Sequence, residues 1–193
     1  MKNMKKTDRR VRKTRTLLKN GLIKLMKEKS IKEITVQELV DEVDINRSTF
    51  YLHYKDIYDL VEQLEQEVFD SFKMLINDFG EKKEDEKFLI ALYQNIENYG
   101  DLAQALISSH GDMSFVHRLI MTIRGEIAPY VEDIITQKSD IQNEYIYEYC
   151  LFGTLGLIKK WMDRGFQETA EVMAKVTNQL LIENINQGNV SHG

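Results

Sequence analysis

Seven side chains between Arg47 and Lys55 can donate to phosphate oxygens or touch base edges: Arg47, Ser48, Thr49, Tyr51, His53, Tyr54 and Lys55. Arginine offers a planar fork of donors, hydroxyls offer short adaptable ones, and lysine offers a point charge. Gathered on one short stretch, these types suit recognition of nucleic acid rather than bond making. No bond-making set competes with them. Cys150 has no histidine near it in sequence and sits in an apolar helical stretch, where a small core residue is expected. His110 and His117 flank Asp112, but a seven-residue spacing across a loop is not that of a metal pair. HExxH, CxxC and a glycine-rich phosphate loop are missing from the sequence. The expectation is therefore no catalytic residue, no metal ligand and no cofactor.

Donors on a short stretch need elements that aim them. Thr35 and Glu38 have the spacing of a capping box, and Ile34 and Leu39 that of a hydrophobic staple. Val36, Leu39, Val40 and Val43 then fall on one helical face. Asp44 and Ile45 make a tight turn, with Ile45 plugging the core. Asn46 is an N-cap that opens a second helix, predicted over 47–54, with Phe50 as its core knob. Asp56 caps a third, with Asp59 near the positive end of its dipole. Two short helices around a tight turn, the second polar and exposed, form a helix-turn-helix.

The stretch ITVQELVDEVDINRSTFYLHYKDIYDL resembles the DNA-binding signature of the TetR family of bacterial regulators. The matching positions are Thr35, Ile45, Asn46, Thr49, Phe50, Tyr51, His53, Tyr54, Lys55 and Leu60. Two positions depart. Val43 and Asp44 stand where the family usually has Ala-Gly, and aspartate enters a left-handed backbone less readily than glycine. Ile57 stands near a position where the family often has lysine. The resemblance implies that Thr35, Tyr51, Tyr54 and Lys55 bind phosphates while Arg47, Ser48 and Thr49 read bases. It also implies a reader helix in each of two major grooves of a palindromic operator, and most simply a repressor released by a ligand.

Composition agrees with an all-α chain: one proline, ten glycines and no strand-like alternation in 193 residues. A single cysteine fits a reducing cytoplasm. No apolar run reaches the ~18 residues of a membrane span. The basic N-terminus has no apolar stretch behind it, so no signal peptide is expected. Charge is split along the chain. Residues 1–60 hold 15 of the 26 Lys and Arg but nine of the 31 Asp and Glu. A polyanion is attracted to one end and repelled by the other. Lys5, Lys6 and Arg9, with Arg12 and Lys13, are placed to reach a DNA backbone.

The expected organisation is a DNA-binding domain over 1–60 and a second domain over 61–193 for effector binding and dimerisation. A long helix over about 57–79 links them. Its apolar positions Leu60, Leu64, Val68, Phe72, Leu75 and Phe79 recur at helical spacing. The first helix is expected from Thr7 or Asp8 to about Lys29, behind a disordered arm. Further helices are expected over about 85–99, 101–108, 113–136 (interrupted at Pro129), 140–164 and 170–186. Gly165 ends the helix over 140–164, which Ser139 and Gln142 open as a capping box, and Thr169 caps the last.

The last two helices are expected to pair with a second copy. Phe152, Gly153, Gly156, Leu157, Lys160 and Trp161 combine small residues with aromatics. Met173, Val176 and Leu180, with Val172 and Leu181, extend a wide apolar face. A two-fold operator needs two readers, which favours an interface over intrachain core. The run FGTLGLIKKWMDRGF resembles the C-terminal domain of a TetR subgroup that includes regulators linked to dihydroxyacetone kinase genes. In that family the last two helices form a four-helix bundle across a homodimer.

Tyr93, Tyr99, Met113, Phe115, His117, Met121, Tyr147 and Tyr149 are the types an adaptable small-molecule cavity uses, and plain core packing explains any one of them as well. The resemblance implies a cavity here for an unknown effector. Two rival readings remain. A regulator acting with a protein coactivator would have no small-molecule effector and a small pocket. A helical protein–protein adaptor would bind no specific DNA and tolerate changes at Thr49 and Tyr51.

Overall fold

The computed structural model describes residues 2–80, 85–107, 115, 117–122, 124–125 and 140–183. Its elements are α1 (Lys2–Met26), a 3-10 turn (Ile31–Glu33), α2 (Val36–Glu42), α3 (Arg47–Tyr51), α4 (Ile57–Gly80), α5 (Asp85–Asn98), α6 (Gly100–Ile107), helical residues 117–122 (α7), α8 (Asp140–Asp163) and α9 (Ala170–Thr177). A wider π turn, Asn178–Glu183, continues α9. No strand occurs among the described residues, and the fold is all-α. No helix among them is long and apolar enough to cross a membrane.

The chain divides into two compact units. The first comprises Met1–Val68 and Asp101–His117, the second Phe69–Gly100 and Arg118–Gly193. The described residues among 101–117 thus cluster with the N-terminal unit, whereas a boundary near residue 60 is expected from the sequence. α4 contributes its first half to one unit and its second half to the other.

In the first unit Leu18, Leu22 and Met26 of α1 are buried with Leu39, Val40, Phe50, Ile57 and Leu60. Gly21 is the point of closest approach. A β-carbon there would overlap Val43 Cγ1 and come within 3.1 Å of Leu39 Cδ1, so the missing side chain lets α2 lie against α1. α1 begins at Lys2, where a disordered arm was expected, and it ends at Met26, three residues early.

α2 starts as its sequence dictates. Thr35 Oγ1 accepts from the Glu38 amide at 3.2 Å, and Glu38 Oε2 accepts from the Thr35 amide at 2.9 Å. The turn after α2 is a Schellman closure: the Ile45 amide donates to Val40 O at 3.0 Å and the Asp44 amide to Asp41 O at 3.4 Å. That closure requires a left-handed residue, and Asp44 supplies it at φ 53°. α8 ends the same way. Gly165 takes φ 69°, and the Phe166 amide donates to Trp161 O at 3.1 Å.

In the second unit Tyr93, Trp161 and Phe166 form an edge-on aromatic series, with centroids 5.3 and 4.8 Å apart. Met162, Met173, Ala174 and Leu181 are also buried. α9 begins with the Thr169 hydroxyl accepting from the Val172 amide. It is α-helical to Thr177 and continues as a π-helix to Glu183; the expected end near 186 lies outside the described residues. Ser139 and most of the helix expected around Pro129 lie outside the described residues.

Candidate nucleic-acid interface

α3 has five residues and cannot be stable alone. Its geometry comes from its anchors. The Asn46 carbonyl accepts from the Thr49 amide at 2.8 Å and the Phe50 amide at 3.4 Å, while the Asn46 side chain makes no cap bond. Phe50 is fully buried below it. The helix ends at Tyr51, three residues earlier than expected, and bonds from His53 and Tyr54 back to Phe50 O close the turn. Asp59 then ties down the entry to α4: its carboxylate accepts from the Lys55 amide at 2.7 Å, and its own amide donates to Asp56 Oδ1 at 2.9 Å. The bond from the Lys55 amide is the chief reason its carboxyl titrates below the usual range.

These anchors leave Arg47, Ser48, Tyr51 and Lys55 exposed, with Thr49 and His53 half-buried. Arg47 reaches one turn along α3: its Nη2 donates to the Tyr51 phenol oxygen at 3.0 Å. Burial, then the nearby Arg15 charge, lowers the pKa of His53, which favours neutral imidazole at physiological pH.

Two expected phosphate ligands are placed differently. Tyr54 is only 5% exposed, and its ring packs on Phe50 with centroids 5.7 Å apart. It is chiefly a core residue, because the turn closed by the bond from its amide to Phe50 O brings it back to the face that Phe50 occupies. Thr35 is exposed, but its hydroxyl accepts from the Glu38 amide and lies 2.9 Å from Glu38 Oε2. Arg9 is exposed on α1; the side chains of Lys5 and Lys6 lie outside the described residues. Two residues were missed. Arg15 is exposed and close enough to His53 and Tyr54 to affect their titration. Leu52 is 80% exposed at the end of α3, where an apolar side chain suits a thymine methyl group. Its place between Tyr51 and His53, off the Phe50 face, was the available signal.

The C-terminal residues sort into core and surface. Trp161, expected at an interface, is 1% exposed, and its indole N–H donates to Glu168 O at 2.9 Å. Met173 is buried as well, and a β-carbon on Gly153 would meet Leu181 Cδ2 of the same chain at 2.8 Å. These three serve intrachain packing. Leu157 and Val176 are half-buried, while Lys160 and Gly156 are exposed, with nothing near a β-carbon at Gly156. An exposed stripe remains on α8: Ile141, Tyr145, Tyr149, Phe152 and Gly156, with Val172 and Leu180 exposed further on.

The residues expected to line a cavity differ in burial and in their bonds. Tyr93 is fully buried, and its phenol oxygen is 2.5 Å from Thr177 Oγ1. Tyr99 is half-buried, His117 and Met121 are exposed, and Phe115 is buried. Tyr147 donates to Arg124 O at 3.0 Å, and Arg124 pairs with Glu148. Met113, His110 and Asp112 lie outside the described residues. Burial raises the pKa of the half-buried Cys150 thiol.

The family described as "Transcriptional regulator C-terminal region", of TetR type, matches residues 83–183, just over half of the chain. The chain belongs to the TetR family of transcriptional regulators. Over 180 residues this TetR-family chain is 21% identical to the HTH-type transcriptional regulator YxbF of Bacillus subtilis (strain 168). That match covers 85% of the chain and 43% of YxbF, so the chain spans about half of that relative's length. Among solved structures it is similar to a TetR transcriptional regulator from Streptococcus agalactiae 2603V, with TM-score 0.63 and 24% identity over 91% of this chain and 97% of that one. The dihydroxyacetone kinase operon activator DhaS gives 0.61 and 18%, over 90% and 97%. FadR from Bacillus subtilis, in complex with stearoyl-CoA, gives 0.60 and 14%, over 86% and 97%. These likenesses show a shared fold.

Proposed function

We propose that the protein acts in the cytoplasm as a non-enzymatic regulator that binds a palindromic DNA operator as a homodimer, and that it represses until an effector releases it. The observation that carries this reading is α3. A helix too short to stand alone is anchored through Phe50 and the flanking caps, and it displays Arg47, Ser48 and Tyr51 to solvent, with Lys55 exposed in the turn that follows. The basic balance of residues 1–60 supplies the long-range attraction.

The exposed stripe on α8 supports the homodimer. Tyr145 is 72% and Phe152 54% exposed, at the spacing of one helical face. A dimer buries that face and provides two readers about 34–36 Å apart for half-sites one turn away. An effector would act by favouring a dimer with another reader separation, by no more than its differential affinity for the two states.

A second reading, activation with a protein partner and no small-molecule effector, is favoured by the engaged phenol of Tyr93. The name of DhaS, an operon activator, points the same way, whereas the stearoyl-CoA complex of FadR favours a ligand.

Fluorescence anisotropy tests the DNA reading, using duplex from upstream of the protein's own gene and a scrambled control at two salt concentrations. Binding to the upstream duplex that survives salt while the scrambled duplex is released is the expected result. If genome-wide selection also yields no preferred fragment, the reading falls.

A further inference from the structure

Arg47 is held before any DNA arrives. Its Nε and Nη2 lie 3.3 and 3.0 Å from the Tyr51 phenol oxygen. Its guanidinium carbon lies 5.5 Å from the Tyr51 ring centroid. The ring is itself fixed, standing edge-on to buried Phe50 with centroids 5.5 Å apart at 86°.

A guanidinium has two usable edges. The side edge, Nε–H with the adjacent Nη2–H, is committed to the phenol oxygen. The end edge, Nη1 with the outer Nη2 hydrogen, keeps two parallel donors. Parallel donors match the O6 and N7 acceptors that guanine presents in the major groove. Adenine presents an N6 donor beside its N7, so one arm of the same fork would meet a donor. In these two bonds the phenol oxygen is the acceptor, and its own proton is left for a phosphate oxygen.

We propose that Tyr51 is a positioning residue for base recognition: it holds Arg47 by the side edge so that the end edge reads a guanine. The inference rests on the DNA-binding reading of α3 and adds to it a named base, a named reader and the residue that aims the reader. Immobilising a long flexible side chain at an interface lowers affinity by roughly 2- to 12-fold. Tyr51 removes part of that penalty in the free protein, and only for the orientation that fits guanine.

The test is selection from a pool of duplexes randomised over about three helical turns, using wild type, Arg47→Ala and Tyr51→Phe. Tyr51→Phe keeps the ring against Phe50, and an unchanged melting temperature verifies its fold. The wild type should enrich half-sites with guanine at one fixed position, and Arg47→Ala should lose the preference there alone. Tyr51→Phe should weaken that same preference by about 2- to 12-fold and leave other positions as they were. A Tyr51→Phe protein that keeps the full guanine preference and binds all sequences more weakly would make Tyr51 a phosphate ligand only, and the inference fails. The absence of any Arg47-dependent guanine also overturns it. A wild-type pool with no enriched sequence overturns the DNA-binding reading itself, and the inference with it.

Discussion

The bond between Tyr93 and Thr177 gives a direct measure of whether the second unit is closed core where a ligand cavity was expected. Both residues are buried, they come from α5 and α9, and their oxygens are 2.5 Å apart. Tyr93→Phe removes a neutral buried hydrogen bond, about 1 kcal/mol net, and leaves the Thr177 hydroxyl without that partner. The orphaned group adds a further desolvation cost of about 1 kcal/mol or more. A loss of about 1–2.5 kcal/mol is therefore expected. Thr177→Val should cost a similar amount, because it orphans the phenol. The double variant orphans neither group. It should be more stable than the summed losses by about 1 kcal/mol or more, which is the coupling of the pair. Urea unfolding followed by the sole tryptophan suits the question, since Trp161 stacks edge-on against Tyr93 and reports on this unit. Additive losses across the cycle would refute the reasoning. A near-neutral Tyr93→Phe would refute it too, because a phenol facing a wet cavity loses little.

Gly21→Ala should destabilise the N-terminal unit by about 1–3 kcal/mol in thermal unfolding, because the new methyl collides with the stiff Val43 side chain. The Glu38 carboxyl is held at about 2 by Lys29 and by the amide and hydroxyl of Thr35. Its folded pKa is depressed, so its stabilisation is complete above the ordinary value near 4.5 and is lost as pH falls toward 2. Thermal unfolding across that window should show a smaller acid loss for Glu38→Gln than for wild type. Phe152→Glu puts a charge into the exposed stripe of α8; sedimentation should shift from dimer to monomer while helicity is unchanged.

The local punctuation of the fold was legible in the sequence. Thr35 with Glu38, Asp56 with Asp59, and Gly165 each act within one turn of chain, so spacing alone determines their partners. Asp44 marked a departure from the usual glycine, and the structure places it at the one left-handed position of the turn. What sequence spacing could not assign was which neighbour covers an apolar face. Trp161 and Gly153 share α8 with the exposed Phe152 and Gly156, and Met173 shares α9 with the exposed Val172, yet Trp161, Gly153 and Met173 pack within their own chain. Periodicity reports that a face is apolar without reporting what lies against it. The same holds for Tyr54, which is buried against Phe50, and at Tyr93 burial around a ligand and burial in a core select the same residue type. The clustering of α6 residues 101–107 with the N-terminal unit depends on long-range packing that no local pattern records.

The construction of α3 also bears on how such a protein can change over generations. Phe50, Tyr54, Leu39 and Ile57 fix the helix from below, and each is buried. Arg47, Ser48 and Leu52 point away and contribute little to holding it, while Tyr51 is 47% exposed. Surface exchanges of that kind usually alter stability by no more than about 0.5 kcal/mol. Substitutions at the outward positions are therefore nearly free for folding, whatever they do to base preference. A duplicated copy could drift toward a new operator one outward residue at a time, remaining folded at each step.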